Sequence, residues 1–180
     1  MARNIESKAR CADLQRAGAA ALGLGATAHA IEQQTDRYFV LDGGRRVKLR
    51  VITGVRAELI EYERPESSGV RASDYTVTPV RDEAAGLCLV PKGRPLVVVR
   101  KRREILLLDN LRIHLDEVDG LGTFVELEAV VDAHHDDSAC RAQVAKMIAA
   151  LGIAEADLIA ASYAELLRAS GSAPVRGDRD

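Results

Sequence analysis

Four separate segments of this chain alternate charged or polar residues with apolar or small ones at a period of two. Asn4-Glu6-Lys8-Arg10, Arg46-Lys48-Arg50, Arg112-His114-Asp116 and Glu126-Glu128 each take every second position. Ile5-Ser7-Ala9, Val47-Leu49-Val51, Leu111-Ile113-Leu115 and Val125-Leu127 fall between them. That period belongs to strands with two unlike faces. Two architectures satisfy it. One is an antiparallel sheet with a single solvated face. The other is a closed barrel whose charged face looks inward and whose apolar face lies beneath helices. A charged lumen cannot stay empty and dry, because unpaired buried charge is costly, so it would hold water, an anion and a metal ion. Cations gather on some strands (Arg46, Lys48, Arg50, Lys101, Arg103, Arg112) and suit a polyphosphate. Carboxylates gather on others (Glu6, Asp116, Glu126, Glu128) and suit a hard divalent cation such as Mg2+ or Mn2+.

The remaining segments fill out an α+β chain. Asp13 is placed to cap an Ala- and Leu-rich helix ending near Gly23 and Gly25. Asp36–Leu41 reads as a strand, Asp42–Gly44 as a hairpin turn and RRVKLRV as the return strand. A turn near Thr53-Gly54 leads into RAELIEYER, which ends at Arg64-Pro65. After the loop PESSG, RASDYTVTPV reads as a strand and 82–90 as a short helix. LVVVRKRREILLLD reads as a pair of strands and LRIHLDEV as another, turning through DGLG into TFVELEAVV. A helix capped by Asp137 or Ser138 runs to about Leu151, and a second runs from near Glu155 to about Leu167. Residues 1–169 form one domain, and the polar Gly- and Pro-containing tail 170–180 is expected to be disordered.

At 180 residues the chain is long enough for one real core. It has no apolar run of membrane-spanning length and no signal-peptide pattern, so a cytoplasmic protein with no membrane partner is expected. Its formal net charge of -2 excludes gross affinity for nucleic acid. The basic run Arg100–Arg103 splits between two strand faces, and with 3% aromatic residues there are few stacking platforms. Cys11, Cys88 and Cys140 are odd in number and far apart, which fits inert small hydrophobes and no disulfide framework. His134-His135-Asp136-Asp137 lies hard against a helix start and reads as loop and cap. Tyr163 reads as helix packing.

Taken in order, N-I-E-S-K, D-R-Y-F, R-V-K-L-R, Y-E-R-P, S-D-Y, R-K-R-R-E, N-L-R-I-H-L-D-E-V, G-L-G-T-F-V-E-L-E and S-Y-A-E-L-L resemble the CYTH superfamily, the triphosphate tunnel metalloenzymes. N-I-E-S-K resembles its ExExK signature, and R-I-H-L-D-E-V with S-Y-A-E-L-L is most similar to the class IV adenylate cyclase branch. The resemblance runs from Arg3 to about Leu167. It implies an eight-stranded antiparallel β-barrel, open as a tunnel, with flanking α-helices. It further implies Glu6, Glu126 and Glu128 as metal ligands with Asp116 as a weaker one, and Mg2+ or Mn2+ as the metal. Lys8, Lys48, Arg50, Arg64, Lys101, Arg103 and Arg112 would contact phosphate oxygens, with Arg10 and Arg46 less secure. Lys8 is also a candidate general base, a plain phosphate contact being the simpler role. The first Glu of ExExK is Asn4 here, whose amide carbonyl brings a metal no negative charge.

The activity that the resemblance implies is conversion of ATP to cyclic AMP and pyrophosphate. A triphosphatase acting on tripolyphosphate, thiamine triphosphate or a nucleoside triphosphate would use the same residues and differ in where the nucleophile sits. A noncatalytic polyphosphate- or nucleotide-binding protein is the third reading, with Asn4 as its support. Exposed barrel surfaces leave a homodimer open.

Overall fold

The computed structural model describes residues 2–40, 46–63, 69–90 and 95–171. The expected turn at 42–44, Arg64 and residues 172–180 of the tail lie outside the described residues. Eight strands follow in the order β1 (Ala2–Arg10), β2 (Thr27–Val40), β3 (Arg46–Ile52), β4 (Arg56–Glu63), β5 (Arg71–Val80), β6 (Val97–Leu108), β7 (Leu111–Val118) and β8 (Gly122–Val130). They close into one antiparallel barrel of spatial order β1-β5-β4-β3-β2-β6-β7-β8. Closure removes every free sheet edge. It also separates the two faces of the alternating segments, one to the lumen and one to the outside.

The outer face carries the core. α1 (Leu14–Gly23) and α3 (Asp137–Ala150) cover β1, β7 and β8. Ala17, Ala21, Cys140, Val144 and Met147 of these helices pack on Ile5, Ile113, Leu115, Val125 and Leu127. These are the residues that alternate with the charged positions, so burying the apolar set forces the charged set inward. α2 (Glu83–Leu87) sits against β3, β4 and β5. Gly86 there allows the close approach, since a Cβ would fall 2.4 Å from Leu49 Cδ1. Asp13, Asp82 and Asp136 cap the three helices by accepting from the backbone N–H three residues on. The third cap is one residue before the expected Asp137.

Three elements differ from expectation. β2 begins at Thr27, nine residues before Asp36. β6 is one strand and not two, because it must run beside the 14-residue β2 from Tyr38↔Val97 to Thr27↔Leu107, with a bulge between Ala28 and Ala30. The sharp turn comes only at Asp109-Asn110, where Asp109 takes φ 56°. The last helical stretch is broken. A 3-10 turn at Glu155–Asp157 gives way to extended chain in which Leu158 bridges Ala9 and Ile159 N–H donates to the Lys8 carbonyl at 2.8 Å. This segment lies beside β1 beyond Glu6, the last residue that β5 pairs. α4 (Tyr163–Ala169) starts only there, with Ser162 and Glu165 forming a reciprocal capping box.

Candidate active site in the barrel lumen

The lumen holds a cavity of about 500 Å3, within the roughly 300–1,000 Å3 common for small-molecule sites. Of the expected site residues, Glu6, Lys8, Lys48, Arg50, Lys101, Arg103, Arg112, Glu126 and Glu128 line it. Arg46 is directed to α4, where Nη1 donates to Glu165 Oε1 at 2.8 Å, and it is not part of the cavity wall. Asp116 is also set apart. It is fully buried, and both oxygens accept hydrogen bonds: Oδ1 from Arg103 Nε at 2.7 Å, Oδ2 from Arg103 Nη2 at 2.6 Å and from the Tyr163 hydroxyl at 2.8 Å. That geometry supports an arginine, and Asp116, expected as a metal ligand, lies outside both the cavity lining and the cluster of donors formed by His114, Glu126 and Glu128. Glu6, expected as a metal ligand, faces the cavity and accepts from Arg71 Nε at 2.9 Å, and it is not in the cluster of donors formed by His114, Glu126 and Glu128.

Asp36 on β2 repeats the Asp116 arrangement across the intervening strand β6, and Lys101 Nζ stands between the two carboxylates, 3.7 Å from Asp36 Oδ2 and 4.0 Å from Asp116 Oδ2. It is fully buried behind the cavity wall and receives Arg50 through Nε and Nη2, both at 2.7 Å. Lys48 Nζ approaches its Oδ2 at 3.8 Å. Burial alone would raise the Asp36 carboxyl, but Arg50, Lys48 and Lys101 hold it well below the carboxylate range. Two buried aspartates thus fix two arginines by fork-to-fork pairs.

Tyr163, expected as packing alone, is part of the wall. Lys8 Nζ stands 3.9 Å and Lys101 Nζ 5.1 Å from its ring centroid. Tyr163→Phe keeps that aromatic face and removes one hydrogen bond to a buried carboxylate. It is expected to cost about 1.5–3 kcal/mol in denaturant unfolding, and a neutral result would mean that Arg103 alone satisfies Asp116.

The lysines are the titratable cations. Burial and then Arg103 push Lys101 down to about 7, and burial and then Arg50 push Lys48 down to about 8. Both bind fewer protons folded than unfolded between those values and the ordinary lysine value of about 10.4. Stability therefore rises with pH across that window, the penalty on the charged form being fully present below it. The urea midpoint of the ligand-free protein is expected to climb from pH 7 to 9, and a falling midpoint would contradict the burial of these ammonium groups.

The acidic side of the cavity is built on β8 and β7. Glu126 accepts from Arg103 Nη2 at 2.6 Å and pairs with Lys8 Nζ at 3.3 Å. Burial would raise its pKa, but Lys8 and Arg103 hold it well below the usual range. Glu128 is raised by burial and by the Glu126 charge. His114 pairs directly with Glu126 in the β7–β8 register, and burial together with Arg103 keeps its imidazole neutral. Donor atoms of His114, Glu126 and Glu128 all lie within 4.8 Å of one another. Two carboxylates that repel and a neutral imidazole fit a divalent cation, which would relieve the repulsion.

β4 and β5 also present an uncharged patch, next to the charged lining residues Arg56 and Glu58 of β4. Ile60 pairs with Val77 and Tyr62 with Tyr75 in register, and all four line the cavity. His134 and His135 take no part; His135 is held by Asp132 and Asp109 at the surface. Among the described residues no helix is long and apolar enough to cross a membrane.

The family model described as the CYTH domain matches residues 2–163. A Methanocaldococcus jannaschii protein that carries an adenylate cyclase name, MJ0240, is 32% identical over 68 residues, 38% of this chain and 39% of that protein. The chain thus matches about two-fifths of the length of this curated relative. The PH1012 protein of Pyrococcus horikoshii has a similar structure, with a TM-score of 0.76 and 26% identity over 91% of this chain and 98% of its own. A Hippeastrum protein named as an adenylyl cyclase, with a dominant triphosphatase activity, shares the fold at a TM-score of 0.64 and 15% identity over 94% of this chain and 96% of its own. With the family match running from β1 to the first residue of α4, the chain belongs to the CYTH domain family.

Proposed function

We propose that this protein is a class IV adenylate cyclase-like enzyme that converts ATP to cyclic AMP and pyrophosphate within the lumen. The observation that carries this reading is the division of the cavity. A wall of Lys8, Lys48, Arg50, Lys101, Arg103 and Arg112 suits a triphosphate, and the uncharged wall of Ile60, Tyr62, Tyr75 and Val77 suits a nucleobase. A bare tripolyphosphate has no use for the second wall.

Arg50 and Arg103 spend Nε and Nη2 on Asp36 and Asp116, so Nη1 is the donor each keeps for a phosphate oxygen. Lys8 pairs with Glu126 and caps the Tyr163 ring, contacts of a cation, and it acts as a phosphate contact in preference to a base. Glu126, Glu128 and His114 would hold the metal, which supplies charge neutralisation on the phosphate oxygens. The ribose 3′-hydroxyl gives up its proton to solvent as its oxygen bonds the α-phosphorus, and the bond from the α-phosphorus to the α–β bridging oxygen breaks, that oxygen leaving with pyrophosphate. The cationic wall stabilises the charge passing to pyrophosphate. Catalysis is then chiefly positioning and electrostatics. A triphosphatase is the second reading, favoured by the same cationic wall, and it needs only a water aimed at the terminal phosphorus.

Product analysis by mass spectrometry with Mg2+ or Mn2+ and, separately, ATP, tripolyphosphate and thiamine triphosphate separates them. Cyclic AMP and pyrophosphate from ATP are expected, whereas orthophosphate, released best from tripolyphosphate, would replace the cyclase by the triphosphatase. Val77→Ala, on the uncharged wall, is expected to raise KM for ATP about tenfold, as for loss of one modest apolar contact, and to leave tripolyphosphate binding unchanged. Equal effects on both ligands would remove the nucleobase from that wall.

A further inference from the structure

His114 stands out among the lumen side chains because its chemistry is not that of a phosphate site. It is 4% exposed, and its Nδ1 is buried without a hydrogen-bond partner. A buried polar atom left in this way calls for an explanation. Nδ1 lies 3.8 Å from Glu128 Oε1, too far for a hydrogen bond. It is near the separation of roughly 3–3.5 Å expected for two donors about 2.1 Å from one shared ion.

The neighbouring residues close off the alternatives. Asn4 Nδ2 donates to Glu128 Oε2 at 3.2 Å, and its Oδ1 accepts from the Tyr75 hydroxyl at 3.3 Å. Asn4 therefore orients Glu128 and turns its carbonyl toward Tyr75. Glu126 gives one oxygen to Arg103 and the other to Lys8, yet each carboxylate oxygen has a second lone pair. The donors that converge are two carboxylates and one imidazole.

We propose that His114 is a metal ligand alongside Glu126 and Glu128, and that this nitrogen makes the site prefer a first-row transition ion such as Mn2+ to Mg2+. Magnesium demands a near-ideal octahedron and dehydrates reluctantly, whereas imidazole nitrogen suits first-row transition ions, among which Mn2+ also takes the two carboxylates. The inference rests on the reading of the cavity as a metal-dependent triphosphate site, and it adds which metal that site selects.

Pulsed EPR of the full-length protein loaded with Mn2+ alone tests it without reference to turnover. Modulation from a directly bound 14N is expected in the wild type and in His29→Gln, whose imidazole also borders the cavity, and is lost in His114→Gln. Equilibrium dialysis is expected to give Mn2+ an affinity about 100-fold above that of Mg2+. His114→Gln should cut Mn2+ affinity about 10- to 100-fold, the range for lost metal-site partners, and leave Mg2+ within about twofold. Mn2+ bound without 14N modulation in the wild type would overturn the proposal, as would equal binding of both ions. The wild-type spectrum decides this even if the variant fails to fold. Calorimetry of ATP and tripolyphosphate, with and without metal, isolates the underlying reading: triphosphate binding without 14N modulation sinks only the His114 assignment. Failure to bind either triphosphate under any metal condition would sink the site itself.

Discussion

Arg103→Met is expected to lower folding stability by about 3–5 kcal/mol, the range for breaking a buried ion pair from one side. Arg103 is 3% exposed and serves two carboxylates at once, Asp116 through Nε and Nη2 and Glu126 through Nη2. A methionine fills much of the volume and leaves both acids without that partner in a buried site. Desolvation then acts on Asp116 with only the Tyr163 hydroxyl and the more distant Lys101 to oppose it. The pH dependence has a definite sign. Arg103 holds the Asp116 carboxyl below its ordinary value, so its stabilisation is present above the unfolded value of about 3.9 and fades as pH falls through the folded one. The gap between wild type and variant should be widest near neutral pH and should narrow below about pH 4. Denaturant unfolding at several pH values measures it. Adding Asp116→Asn to Arg103→Met should recover part of the loss, since it removes one stranded charge, and a purely additive double variant would mean that the two side chains are not coupled.

The same pair explains which parts of the site could be read from the sequence. Strands with one apolar face were legible, because burial of Ile5, Ile113 and Leu127 under helices sets register and sends Glu6, His114 and Glu126 inward. The cationic wall followed from that alternation. β2 was visible only from Asp36 onward because Glu32, Gln34 and Asp36 share one face with Gln33, Thr35 and Arg37 on the other, and two polar faces carry no period of two. Asp36 went unrecognised as a site residue for that reason. Arg71, Ser73, Tyr75 and Val77 do alternate within RASDYTVTPV, so the uncharged wall and the partner of Glu6 had a signal that was available. The capping box Ser162–Glu165 was likewise present and marks where α4 begins. Whether a lumen aspartate holds a metal or an arginine was not legible. Asp116 and Glu126 are both acids on inward-facing positions, and only the location of the Arg103 fork separates them.

Glu126→Gln is the complementary case, with its largest effect on turnover and a smaller one on folding. Glu126 is the point where the cationic and acidic halves of the cavity meet: Lys8 at 3.3 Å, Arg103 at 2.6 Å, His114 and Glu128 within donor range of a shared ion. Glutamine keeps the shape and one acceptor oxygen and removes the charge. Lys8 keeps the Tyr163 face, and Arg103 keeps both bonds to Asp116, so the cations are not stranded as the carboxylates are in Arg103→Met. Glu128 loses the like charge that raises it, which offsets part of the cost. Metal-dependent turnover of ATP is expected to fall about 100- to 1,000-fold, the loss associated with removing one preorganised electrostatic contact. Because the lost group serves the phosphate-transfer step and not the nucleobase, turnover of tripolyphosphate, if the wild type has any, should fall by the same factor. Steady-state rates across a Mn2+ titration distinguish weaker metal binding from a slower chemical step: in the first case saturating Mn2+ restores the rate, in the second it does not. A variant that turns over within about fivefold of wild type at low Mn2+ would place the chemistry elsewhere in the lumen.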